Sequence, residues 1–135
     1  MRTPSQTAGP FLSIGLARRV QNELPGGSVP LRGYVWDGEG RPVDDALVEL
    51  WNPAFGFARC PTDAEGGFTF LLPPAARRFE VMVFARGLLK PVLTRLYAPP
   101  GEGAEDPTMV ARPEGDGLRF DVHLQGERET AFFEL

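Results

Sequence analysis

The sequence predicts an all-β protein, a β-sandwich with little helix, and three observations carry that prediction. Sixteen Gly and fourteen Pro punctuate the 135 residues so often that long helices are hard to place. The segments between them are of strand length and rich in β-branched and aromatic residues. Turn residues separate these segments at the spacing of a two-sheet sandwich.

Each strand has its own signature. Residues 29–37 alternate, with Leu31, Gly33 and Val35 set against Arg32, Tyr34 and Trp36. Residues 46–51 read Ala-Leu-Val-Glu-Leu-Trp, and 68–72 and 79–85 are apolar runs. Residues 92–97 and 118–125 follow. The turn Asp37-Gly38-Glu39-Gly40 supplies residues that tolerate positive φ before Pro42 fixes the exit, and Asp63-Ala64-Glu65-Gly66-Gly67 does the same before Phe68. Residues 99–117 form the longest loop-like stretch, acidic and rich in Gly and Pro. Only residues 13–22 suit a helical turn or two, with Arg18 and Arg19 facing out and Pro25-Gly26-Gly27 ending it. Period-two spacing nominates a core of Leu31, Val35, Leu47, Leu50, Trp51, Phe68, Phe70, Val81, Val83, Phe120, Val122 and Leu124.

Composition narrows the function classes. A net charge of −4 and a charged fraction of 24% describe an ordinary soluble domain without a basic face, so neither nucleic acid nor membrane is expected as a partner. The apolar runs are shorter than a bilayer requires and the N-terminus lacks a signal peptide's pattern, so a cytoplasmic location is expected. The single cysteine, Cys60, agrees, and it reads as a structural or surface thiol. Transition metals want His, Cys or clustered carboxylates, with Tyr as an occasional ligand. One His, one Cys and two Tyr, all distant in sequence, do not supply them. His123 falls on the polar side of its strand with Asp121 and Gln125, which predicts a solvent-facing imidazole. No carboxylate pair or Ser/His/Asp set is visible for acid–base or nucleophilic catalysis. The first eleven residues are polar and bounded by Pro4 and Pro10, which by composition reads as a frayed tail or as an arm laid along another subunit.

Several segments together resemble the intradiol ring-cleavage dioxygenases. Asp37-Gly38-Glu39-Gly40-Arg41-Pro42-Val43, followed by Ala46-Leu47-Val48-Glu49-Leu50-Trp51, is similar to a hairpin and strand of that family. Thr62-Asp63 with Gly66-Gly67-Phe68 resembles its next turn. Three stretches are similar to the α-type subunits of its two-subunit members: Thr3 to Phe11, Phe84-Ala85-Arg86-Gly87-Leu88-Leu89 with Thr94-Arg95-Leu96-Tyr97, and Phe120 to Gly126 continuing through Glu129 to Phe133.

The resemblance implies a division of labour. A β subunit of the same fold binds Fe3+ through two Tyr and two His, and an aromatic catecholic acid and O2 meet there to open the ring between the two hydroxyl-bearing carbons. The α-type subunit holds no cofactor and no catalytic residue of its own, and lends residues to the edge of its partner's pocket. Carried over residue by residue, that edge comprises Thr7, Gly9 and Pro10 of an extended arm over residues 1–11, and Arg86 of a single sandwich domain over residues 12–135. The family's two metal-binding His positions fall on Arg78 and Glu80 here, and both Tyr-bearing loops are cut short: Asn52-Pro53-Ala54 leads directly to Phe55-Gly56-Phe57, and Pro73-Pro74-Ala75-Ala76-Arg77 stands for the other. A free-standing, non-catalytic β-sandwich binding module derived from the same fold is the alternative.

Overall fold

The computed structural model describes residues 21–125 and 129–133, so the arm over residues 1–11 and nearly all of the helical turn expected at 13–22 lie outside the described residues. Among the described residues nine strands build two packed sheets. In chain order they are β1 Val29–Trp36, β2 Leu47–Asn52, β3 Gly56–Pro61, β4 Gly67–Leu72, β5 Arg78–Phe84, β6 Val92–Tyr97, β7 Arg112–Glu114, β8 Gly117–Arg119 and β9 Val122–His123. One sheet has the order β4-β1-β8-β7, with β9 also paired to β1; the other runs β3-β2-β5-β6. β1 is antiparallel to β4 and parallel to β8 and β9. Among the described residues no helix is long and apolar enough to cross a membrane.

The inner faces meet in one core. Leu31, Val35, Phe70 and Val122 come from the first sheet, and Val48, Leu50, Phe79, Val81, Val83 and Leu96 from the second, all at most 1% exposed. Alternation set this pattern on β1, where Leu31, Gly33 and Val35 are buried. Gly33 is required there, because a Cβ would sit 1.8 Å from the Phe120 carbonyl oxygen.

Both predicted turns use one device. Asp37 Oδ1 accepts from the backbone N–H groups of Glu39 and Arg41, both at 2.9 Å. Asp63 Oδ1 accepts from those of Glu65 and Gly67 at 2.9 and 2.8 Å. Each aspartate thus closes its own turn, the favoured local bond of an Asx residue.

Several expectations are corrected. On β2 the inward residues are Val48 and Leu50, together with Ala46 just before the strand. Leu47 lies on the outer face and Trp51 is 49% exposed, because Leu50 and Trp51 are consecutive and only one of them can point inward. Leu124 is half-buried at the rim of the core. The run 118–125 is two short strands, β8 and β9, broken at Phe120-Asp121 where β1 changes partner. The stretch 99–117 is not all loop, since it holds a 3-10 turn at Pro107–Met109 and the edge strand β7. β3 had no counterpart among the predicted strands.

A strap closes one side of the sandwich. The Arg59 N–H donates to the Gln21 carbonyl at 2.9 Å, and the Leu24 N–H donates to the Leu71 carbonyl at 3.1 Å. Residues 21–24 therefore join the β3 edge of one sheet to the β4 edge of the other, with Leu24 1% exposed beneath them. Strands left open in this way are sticky, and the strap covers part of both edges.

Candidate functional site

The outer face of the second sheet carries the positions that matter. Cross-strand register puts Phe57, Trp51, Glu80 and Arg95 in one row across β3, β2, β5 and β6. Directly opposed residues share a face, so Arg78 and Tyr97 belong to the same surface one step along. Phe57 is 45% exposed, and the Arg59 guanidinium lies 5.1 Å from its ring centroid while also pairing with Glu49 at 3.3 Å. Burial pushes the Glu49 carboxyl up, against the pull of Arg59.

Arg95 organises the far half of this face. Its Nε donates to Glu80 Oε2 at 3.0 Å and its Nη1 donates to Glu105 Oε2. The Tyr97 hydroxyl donates to Glu105 Oε1 at 2.7 Å. The Phe133 ring stacks beneath the guanidinium with its centroid 4.6 Å from Cζ. The Tyr97 hydroxyl first, then the residue's own backbone N–H and Arg95, hold the Glu105 carboxyl below the ordinary carboxylate value.

At the two positions where the resemblance expects imidazoles, Arg78 brings a positive charge and Glu80 is already committed to Arg95. The Tyr97 hydroxyl is bonded to Glu105, and Glu105 is bonded to Arg95. The Arg78 and Arg95 guanidinium groups, with no free oxygen donor among these residues, do not fit a ferric ion. Among the described residues no group of three His, Cys, Asp or Glu could hold a metal.

Arg86 stands elsewhere. It follows the end of β5, its side chain 86% exposed and its Nε 3.5 Å from Asp45 Oδ2. Four residues of strand run from Glu80 to the end of β5 at Phe84, roughly 13 Å at 3.3 Å per residue, before the turn that holds Arg86. The structure therefore does not bring Arg86 together with Arg78 and Glu80. Thr7, Gly9 and Pro10 lie outside the described residues.

Sequence reading missed two features. A groove of ≈ 1000 Å³ opens at one end of β1, walled by Trp36, Arg119, Asp121 and His123. His123 shares this side with Asp121 and Gln125 as expected, and it lines the groove half-buried. Arg119 is held by both oxygens of Asp121, at 2.7 and 3.1 Å, over the Tyr34 ring. The Glu80–Arg95–Glu105 network was also missed, because its members are 15 and 10 residues apart and only β5–β6 pairing joins the first two. Cys60 is half-buried, and burial pushes its thiol up, which disfavours the reactive thiolate.

Comparison with known proteins places these features in a family. No family profile matches the chain. The protocatechuate 3,4-dioxygenase alpha chain of Pseudomonas putida is 31% identical over 193 aligned positions, which cover 98% of this chain and 96% of that one. The corresponding alpha chain of Burkholderia cepacia is 28% identical, with 99% and 98% covered. An alignment of 193 positions accommodates this 135-residue chain only with internal gaps. Among solved structures, the dioxygenase domain of a dioxygenase and carbohydrate-binding fusion from Streptomyces sp. SirexAA-E superposes with a TM-score of 0.57, at 22% identity, with 90% of this chain and 96% of that one covered. The two-sheet fold is thus that of the intradiol dioxygenases, and the chain belongs to their protocatechuate 3,4-dioxygenase alpha-chain family.

Proposed function

We propose that this chain is the iron-free α-type subunit of a cytoplasmic protocatechuate 3,4-dioxygenase. In this reading the partner β subunit holds Fe3+ and carries out O2-dependent intradiol cleavage of protocatechuate (3,4-dihydroxybenzoate) to 3-carboxy-cis,cis-muconate. This chain folds as one sandwich over residues 12–135 and lines the edge of the partner's pocket. The observation that carries the reading is the outer face of β5, where a chain of this family sets Arg78 and an Arg95-bound Glu80 in place of metal donors.

What the chain's own residues do follows from placement. Arg86 projects past the end of β5, 86% exposed and 3.5 Å from Asp45, so its planar fork is available to a substrate carboxylate. The strap passes Gly56 near Leu24 and reaches Arg59 at Gln21, so it runs antiparallel to β3. Its Gln21 end therefore faces the Pro61 end of β3, and Pro61 pairs with Leu47, which pairs with Phe84 next to Arg86. Thr7, Gly9 and Pro10 are assigned to the same pocket edge on the family resemblance of their segment. The exposed Trp51 and Phe57 supply apolar area of the kind that subunit interfaces use.

The test is co-expression with a Tyr- and His-rich chain of the same fold, followed by native mass spectrometry. A heteromer containing both chains is the expected result. A chain that stays alone under these conditions is instead the free-standing binding module.

A further inference from the structure

We propose that the chain carries a second, separate ligand site: an apolar cavity between the sheets that takes a small monocarboxylate with a ring-sized apolar body, its carboxylate held by Arg77. The cavity has a volume of ≈ 170 Å³ and opens at the end of the sandwich where β4 stops and β5 begins. Its walls are Val29, Leu72, Pro73, Phe79, Leu96 and Leu118. Leu72, Phe79 and Leu96 are at most 3% exposed, so the interior is core surface that has not closed.

Size and lining choose the apolar part of the ligand. A cavity of about 150 Å³ lined by aliphatic and aromatic side chains stays dry and accepts a benzene ring. Away from the mouth water has little to bond with, because every lining side chain other than Arg77 is hydrocarbon. The mouth chooses the polar part. Arg77 lines it, and its guanidinium donates to the Pro99 carbonyl on the far rim. The Ala98 N–H returns a bond to the Arg77 carbonyl at 2.9 Å, and the Ala76 N–H donates to the Pro73 carbonyl at 3.1 Å, so the rim backbone is fixed. Arg77 is exposed and, like Arg78 and Arg112, forms no ion pair with the described residues. A guanidinium has five donors, so the bond to Pro99 leaves a pair for a carboxylate. An apolar cavity with an uncompensated cation at its mouth matches a ligand with an apolar body and one anionic end. This site lies at the opposite end of β5 from Arg86, so it stands or falls apart from the subunit reading.

Titration calorimetry of the full chain with benzoate is the test, with toluene as the neutral probe. Benzoate is expected to bind at one site with a Kd on the order of a millimolar or below, as suits so small a ligand. Arg77→Gln should weaken benzoate by about ten- to a hundredfold, the loss of a charge-assisted bond, while leaving toluene unchanged. Leu118→Trp should fill the cavity and abolish both. Amide shifts of the unmodified chain on adding benzoate give the location without any variant, and should centre on Ala76, Phe79 and Ala98. The proposal is overturned by any of four results: no benzoate heat from the folded chain, equal benzoate affinity in Arg77→Gln, retained binding in a folded Leu118→Trp, or shifts centred on the Trp36–His123 groove.

Discussion

Replacing Arg95 by Met tests whether the guanidinium holds together the face on which the family's metal positions lie. The substitution keeps an apolar stem on Phe133 and removes the charge that binds Glu80 at 3.0 Å and also pairs with Glu105. The side chains of Arg95 and Glu80 are 27% and 29% exposed, so the pair is partly screened and each ion pair contributes about 0.2–1 kcal/mol. The cation over the Phe133 ring adds roughly 0.5–1 kcal/mol. Glu80, left half-buried without its partner, adds a desolvation cost, which puts the whole loss at about 1–3 kcal/mol. For a domain of this size that corresponds to a Tm lowered by roughly 4–10 °C. Thermal and urea unfolding of the single and double variants with Glu80→Gln form a double-mutant cycle, and the coupling between the two sites should be roughly 0.5–1.5 kcal/mol. A Tm within a degree of the unmodified chain, or strictly additive losses, would show that Arg95 and Glu80 do not act as a unit and would refute the reasoning.

Three further outcomes follow from the same structure. Arg86→Ala should leave the fold within about 0.5 kcal/mol, since the side chain is 86% exposed, yet lower kcat/KM of the reconstituted complex about 10- to 150-fold, with Arg86→Lys recovering only part. Steady-state kinetics decides it, and an unchanged kcat/KM makes Arg86 a surface charge. Phe79→Ala opens a large hole beneath β5 and should cost about 3–5 kcal/mol, read as a lowered urea midpoint. On acidification, Glu105 and Asp106 are held below their ordinary values of 4.5 and 3.8, chiefly by hydrogen bonds from Tyr97 and Thr108. Groups depressed in the folded state add stability above those values and lose it as pH falls through their folded values. Glu49, raised by burial, acts in the opposite sense. Melts taken downward from about pH 6 should therefore show Tm falling below about pH 4.5, and Glu105→Gln should flatten that limb.

How much of this could be read from the residues differs between fold and site. Wherever apolar residues strictly alternate, as in Leu31-Arg32-Gly33-Tyr34-Val35, strand and inward face were both legible. Where two large apolar residues adjoin, as at Leu50-Trp51, period two has two solutions, and only packing of the folded sheet chose Leu50. β3 was hidden because Pro53, Gly56 and Pro61 bracket it and Arg59 interrupts its apolar pattern. Turn chemistry at Asp37 and Asp63 was readable, since it is local. The Arg95 network and the Arg77 cavity were not, because each is assembled by strands that meet only in the fold.

Iron analysis of the chain purified alone and of the chain purified in complex with its metal-bearing partner tests the central claim most directly. The account predicts no iron and no visible absorption for the chain alone, and, in the complex, iron in proportion to the partner chain only. Iron bound in proportion to this chain in the absence of any partner would contradict the account, because the Arg78, Glu80 and Arg95 face could then hold the ion that its charges are argued to exclude.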